Sequence, residues 1–344
     1  MTTSNLDRLV FTPLEASNAA EKYLDWRKTN EGGGMPLYIK NMEFNEEKNQ
    51  GFLPVLPGEL ISVIGRPGNG KTGFMLRWAR KRAQWLHEQA QAGNKTAENS
   101  VVIFISLEQT VEELRLFHVA AEEKFSVSKV ASGNMKEHEW DDVKKGLRKL
   151  HVNPPLWFLG KSMSRRKNRI DMTPENIAGA LETIEKWQGE NLTQSIDSIF
   201  IDYLQKFRPT NNNNSGLNEF FGNVTSYIKD VIAMQFMTRT VLGVQAKREV
   251  DQRAVPIPLM DDGQWSSTIE QFSDGVISVV RPSHYKKHGE EFGDTIVDGK
   301  HQMLISVLKR KLGPENFNGW VKFQPEYNQI DEMELKMFRP NEDA

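Results

Sequence analysis

Eight consecutive residues, Gly65, Arg66, Pro67, Gly68, Asn69, Gly70, Lys71 and Thr72, follow the spacing G-x-x-x-x-G-K-[ST], which is suited to holding a chain of phosphates. Glycines let successive backbone N–H groups close around phosphate oxygens at a helix N-terminus. Lys71 can then neutralise the β- and γ-phosphates, and the Thr72 hydroxyl can ligate magnesium. A chance glycine-rich turn would carry the same letters without the flanks that the chemistry needs. Here Leu60-Ile61-Ser62-Val63-Ile64 reads as a buried strand before the loop, and Phe74, Met75, Trp78, Ala79 and Leu86 mark a helical apolar stripe after it. ATP with Mg2+ is therefore the expected cofactor pair.

Hydrolysis asks for more than a phosphate loop: an acid to hold the metal, a group to orient water, and a sensor of the γ-phosphate. Asp202 ends the apolar run Ile199-Phe200-Ile201, a position that holds magnesium through water beside Thr72 or, alternatively, caps the next turn. Glu108 follows the run 101–106 and is the candidate to polarise the attacking water. Its other reading is a helix cap ahead of Val111. Gln245 ends the run 240–245, where its amide would either read the γ-phosphate or serve as a satisfied structural glutamine.

These groups meet only if the elements beneath them alternate. Residues 60–64, 101–106, 156–159, 198–202, 240–245, 275–280 and 303–309 read as strands, and 110–124, 136–150, 174–187 and 217–237 as helices. The alternation predicts an α/β fold with a mostly parallel, twisted sheet and helices on both faces. Ligands on such a sheet bind beyond the carboxyl ends of the strands.

At 344 residues the chain can bury one large domain, expected over 57–335, with a polar tail at 336–344. Within residues 1–56, the first 13 look disordered. Leu14, Ala19, Ala20, Tyr23, Leu24 and Trp26 then form a weak helical stripe over about 14–28, to be buried on its own domain or on a neighbouring subunit. Forty-four Lys and Arg against 46 Asp and Glu leave a net charge of −2, so any nucleic-acid contact must be local. The absence of cysteine excludes disulfides and thiolate metal sites. No apolar run of membrane length and no secretory signal is present, so a cytoplasmic protein without a membrane partner is expected. Two polar stretches read as exposed loops: 161–169, with five cationic side chains for a phosphate backbone or for solvent, and the asparagine run 211–214.

Together these segments resemble the C-terminal ATPase domain of the DnaB-type replicative helicases, a branch of the RecA-like P-loop NTPases. Pro57-Gly58-Glu59-Leu60 with the phosphate loop is similar to that family's first strand and loop. Phe104-Ile105-Ser106-Leu107-Glu108 is similar to its "SLE" segment, whose Glu is the catalytic base, and Ile201-Asp202-Tyr203-Leu204-Gln205 to its "IDYLQ" strand. Gln245-Ala246-Lys247-Arg248 with Asp251-Gln252-Arg253, and Thr268-Ile269-Glu270-Gln271 with Asp274, resemble two further family segments. The resemblance implies ATP hydrolysis in a homo-hexameric ring around single-stranded DNA.

It also marks departures. Where the family ends a strand in "KQRNGP" and lends a Lys and an Arg to the adjacent subunit, this chain reads Lys309-Arg310-Lys311-Leu312-Gly313-Pro314. Lys309 and Lys311 share one strand face and Arg310 the other, so Arg310 replaces the finger only if the strand ends or bulges there. The family's Arg-Glu-x-Gly set in the DNA-facing loop is here Gln264, Trp265, Ser266 and Ser267, with Asp261 and Asp262 beside it to repel phosphates. Trp265 would stack on a base or simply pack. The first 56 residues leave no room for the family's primase-docking domain, and what remains resembles its linker helix. A motor on single-stranded DNA is the leading expectation, and an oligomeric ATPase that recruits a protein partner without unwinding is the alternative.

Overall fold

Side-chain alternation along the central strands decides how the layers form. A computed structural model describes residues 12–29, 34–150, 154–164, 171–187, 195–208, 216–263, 266–293 and 295–332. The chain divides into Met1–Met35 and Pro36–Ala344. In the first unit, helix α1 (Pro13–Thr29) occupies the stretch expected to be helical. It is started by Thr12, whose backbone N–H and hydroxyl both donate to Glu15 at 2.8 and 2.7 Å. Its Leu14, Tyr23 and Leu24 are all more than half exposed.

In the large unit the strands are β1 (Leu60–Gly65), β2 (Ser100–Ser106), β3 (Leu156–Gly160), β4 (Ser195–Asp202), β5 (Arg239–Gln245) and β6 (Gly275–Val280). The hairpin β7 (Glu291–Phe292) and β8 (Thr295–Ile296) follows, then β9 (Gln302–Arg310), β10 (Phe317–Gln324) and β11 (Gln329–Glu332). The helices are α2 (Lys71–Gln91), α3 (Lys95–Glu98), α4 (Val111–Glu123), α5 (Val127–Ser132), α6 (Glu137–Lys149), α7 (Pro174–Trp187), α8 (Leu217–Tyr227) and α9 (Ser266–Phe272). Among the described residues the main sheet runs β11-β10-β9-β6-β1-β5-β4-β2-β3. From β6 to β3 every pair is parallel, and β9, β10 and β11 continue it antiparallel.

On one face Ile103, Ile105, Ile199, Ile201, Leu242 and Val244 share a buried cluster with Ile177 and Leu181 of α7 and Phe221 and Val224 of α8. The residues between them point the other way. Phe104 stacks on Phe200 with centroids 6.2 Å apart, and Phe200 meets Trp78 of α2 edge-on at 5.9 Å. Helices therefore cover both faces, as the alternation predicts.

Three expectations change. The core does not begin at Pro57: Leu37, Ile39, Met42, Phe52 and Val55 are buried. Arg77 of α2 donates to the carbonyls of Leu37 and Tyr38 at 3.2 and 2.7 Å, which binds that segment to the phosphate-loop helix. Its apolar residues are buried singly, without a period that sequence reading could detect. The helix expected over 217–237 is α-helical only to Tyr227 and continues as a π-helix, Ile228–Gln235. Strands β10 and β11 lie outside the expected set, although Phe317, Gly319, Val321 and Phe323 alternate toward the core.

Candidate functional site

Strand register brings the expected groups to one edge. Gly65 pairs with Gln245 across β1 and β5, and Ser106 with Asp202 across β2 and β4, so the carboxyl ends of four strands converge there. Gly68 and Gly70 have φ of +80° and +83°, where a side chain would be strained, and a Cβ on Gly70 would collide with Met303. Gly70 is the N-cap of α2. The side chains of Arg66 and Asn69 turn away from the loop's mouth and brace it. Arg66 pairs with Asp251 at 2.7 Å and donates to the Ala246 carbonyl at 3.0 Å. Asn69 donates to the Tyr285 hydroxyl at 2.9 Å and accepts from the Arg281 backbone N–H at 2.7 Å. Arg281 also reaches the Gly68 carbonyl at 3.2 Å. From Arg66 and Asn69 only backbone is left to face a ligand.

Lys71 and Thr72 open α2. The Lys71 ammonium lies 4.2 Å above the Tyr203 ring, and the Thr72 hydroxyl donates to Asp202 Oδ2 at 2.6 Å. Asp202 Oδ1 is buried and has no hydrogen-bond partner among the described residues. Burial pushes the Asp202 carboxyl above its usual range, against the pull of Lys71 and Thr72. Burial likewise pushes Lys71 below its own, against Asp202 and Glu108. An oxygen pair of this kind, one atom unsatisfied, has the donor chemistry of a hard divalent cation. The glycine cradle and Lys71 fit a polyphosphate.

Glu108 stands beside this pair, about half exposed, with Oε1 3.2 Å from the Lys206 ammonium. The helix-cap reading of Glu108 is removed, because Thr110 caps α4 in a reciprocal box with Glu113. Gln205 makes the bracing side-chain bonds at the end of β5, accepting from the Gln245 backbone N–H at 2.9 Å and donating to its carbonyl at 3.4 Å. Gln245 itself is half-buried. Sequence reading missed Tyr203 and Lys206. A cation in the turn directly after the Asp202 strand was the available signal for Lys206.

Lys309 and Lys311 lie at the other edge. Arg310 ends β9 opposite Gly275, which in turn pairs with Ile61 near the start of β1. The length of β1 puts about 16 Å between that edge and the phosphate loop, beyond the reach of a lysine from the same chain. Arg310 is buried and spent on the carbonyls of Leu53 and Pro54 and on Glu59 at 2.7 Å. It has no freedom to act as a finger, although the β6–β9 register does shift near Leu308. Lys309 donates to the Glu270 carbonyl at 2.5 Å, and the exposed Lys311 stands 3.6 Å from Asp274. A cleft of about 480 Å³ opens here, lined by Lys229, Asp274, Lys309, Lys311 and Glu315.

The segment leading into the loop expected to face DNA is clamped at Asp262. Arg253 holds Asp262 through both carboxylate oxygens at 2.5 and 2.7 Å, and Asp262 is buried. It is thus turned inward and neutralised, which corrects the expected repulsion; only Asp261 is exposed. Gln264, Trp265, most of the basic stretch from Arg165 to Arg169, and the asparagine run fall outside the described residues. No described helix is long and apolar enough to cross a membrane.

Comparison with known proteins gives one answer in several forms. The family model "DnaB-like helicase C terminal domain" matches residues 44–332. Relatives include the replicative DNA helicase DnaB of Mycoplasma genitalium, 25% identical over 273 residues, covering 77% of this chain and 50% of the relative. A probable replicative DNA helicase of Trieres chinensis is 26% identical over 233 residues, covering 67% and 45%. The chain thus spans about half the length of these relatives. Among solved structures, one described as an ATPase domain superposes with a TM-score of 0.67 at 18% identity, covering 92% of this chain and 98% of that one. A DnaB-like replicative helicase, described with its primase interactions, gives 0.62 at 19%, covering 81% and 58%. At these identities the two structures bear on the fold, which is RecA-like.

Proposed function

The chain belongs to the DnaB-like helicase C-terminal domain family, and from that premise we propose that it is an ATP-hydrolysing, ring-forming motor on single-stranded DNA. The observation that carries the reading is the division of charge between the two sheet edges. Lys71, Thr72, Asp202 and Glu108 gather at one, and Lys309 and Lys311 stand at the other. Each set would complete the other across a head-to-tail contact between copies, and such contacts form a ring where the rotation between copies closes.

In this reading the loop backbone from Gly65 to Thr72 and the Lys71 ammonium bind the triphosphate. Thr72 and Asp202 hold Mg2+, which screens the phosphate charge when bound. Glu108 takes a proton from the attacking water, and Gln245, one strand from the loop, senses the γ-phosphate. Lys309 and Lys311 approach the neighbour's phosphates. One observation favours the second reading, a DnaB-like oligomer that recruits a protein partner without unwinding. A lysine at position 311 brings a point charge and no bidentate fork, which weakens catalysis in trans.

Mixed rings test the shared site. Lys71→Ala and Lys311→Ala chains are each expected to be nearly inactive alone, whereas an equal mixture recovers about one quarter of the wild-type ATPase rate, since half the sites keep Lys71 and half of those meet an intact Lys311. No recovery at any ratio would count against catalysis in trans.

A further inference from the structure

We propose that Lys206 is a phosphate-sensing cation acting within its own subunit, holding Glu108 by an ion pair and exchanging that carboxylate for the terminal phosphate of ATP. The inference rests on the ATPase reading of the same site. Lys206 ends the single turn Leu204–Lys206, which follows β4 and the Asp202 carboxylate. That turn sets its ammonium on the phosphate side of the sheet.

Two ammonium groups share the Tyr203 ring, Lys71 at 4.2 Å from its centroid and Lys206 at 5.4 Å. The ring thereby fixes Lys206 beside the residue that reads the β- and γ-phosphates. Glu108 links the two electrostatically, lying 3.2 Å from Lys206 and acting on the buried Lys71 as well. Burial would lower the Lys206 pKa, yet its bonds to Glu108 and Tyr203 raise it above the usual value, so the ammonium stays charged.

The pair is built to be exchanged. Its side chains are 37% and 49% exposed, and ion pairs in such settings are weak. A terminal phosphate carries more charge and more acceptor oxygens than one carboxylate, and a lysine on a four-carbon stem can pivot to it without repacking. Transfer of the ammonium leaves Glu108 free to take a water proton only when a γ-phosphate is there to be attacked. It also supplies in cis a charge that Lys311 offers only from a neighbour.

The test compares nucleotides by calorimetric titration of the full chain with Mg2+, using ADP and a non-hydrolysable ATP analogue. Lys206→Met is expected to bind ADP as the wild type does while losing about 10-fold in affinity for the analogue, the value of one charge-assisted hydrogen bond. Lys206→Arg should keep most of the preference for the triphosphate. Analogue binding unchanged in Lys206→Met, or both nucleotides weakened alike, would overturn the assignment. Failure of the wild type to bind ADP would instead overturn the ATPase reading, and this inference with it.

Discussion

Glu108→Gln is expected to bind ATP at least as tightly as the wild type, since the amide no longer holds Lys206 by an ion pair, and to turn it over about 100- to 10,000-fold more slowly, the usual contribution of a positioned general base. The amide keeps the shape of the carboxylate but cannot accept a proton from water. Two features of the structure support proposing this residue as the base. The adjacent helix already has its cap in Thr110 and Glu113, so Glu108 has no structural duty there. Its neighbour Leu107 is tied by its backbone N–H to the Asp202 carbonyl at 2.9 Å, which fixes the start of the Glu108 side chain beside the proposed metal ligands. Single-turnover measurements with bound ATP would check the outcome. Turnover within a few-fold of wild type would remove Glu108 as the base.

Asp197→Ala should cost about 3–5 kcal/mol of folding stability, the range for removing one member of a buried ion cluster. Asp197 accepts from Arg82 at 2.8 and 2.7 Å and from Arg239 at 2.9 Å, and all three side chains are less than a tenth exposed. Burial pushes its carboxyl up, but the two arginines outweigh that and hold it below the usual range. The substitution leaves two buried guanidinium groups without their shared carboxylate. The cluster joins the middle of α2 to the amino ends of β4 and β5, so its loss loosens the sheet at the end away from the phosphate loop. Against a total of about 5–15 kcal/mol for a domain, the shift would be plain in a urea titration. A midpoint displaced by the equivalent of less than about 1 kcal/mol would show that the cluster contributes little.

What the sequence disclosed and what it hid divide along a physical line. The phosphate loop, the strand before it and the acid at the end of β4 were legible because spacing and periodicity are local. Both faces of the sheet could be foreseen from strands with apolar residues on both sides, as in the unbroken run Val101-Val102-Ile103-Phe104-Ile105. Arg310 was undecidable from the sequence: alternation put it opposite Lys309 and Lys311, but only the fold shows its guanidinium enclosed by Leu53, Pro54 and Glu59, more than 250 residues away in the chain. The loop braces were hidden for the same reason, since Asn69 meets Tyr285 and Arg281 across more than 200 residues. Asp262 misled because an acidic residue in a polar loop looks solvent-facing, whereas Arg253 draws it inward. Residues 36–56 reveal their burial only once α2 supplies the donors that hold them.

The central claim is that hydrolysis at the Lys71, Asp202 and Glu108 site is coupled to single-stranded DNA in an assembled ring. Its most direct test is the steady-state ATPase rate with and without single-stranded DNA, at low and moderate salt, with the oligomeric mass recorded in the same buffers. We expect a hexamer whose rate rises strongly with DNA, and a stimulation that fades as salt displaces the phosphate contacts. A monomer, or a rate indifferent to DNA at every salt concentration, would contradict the motor.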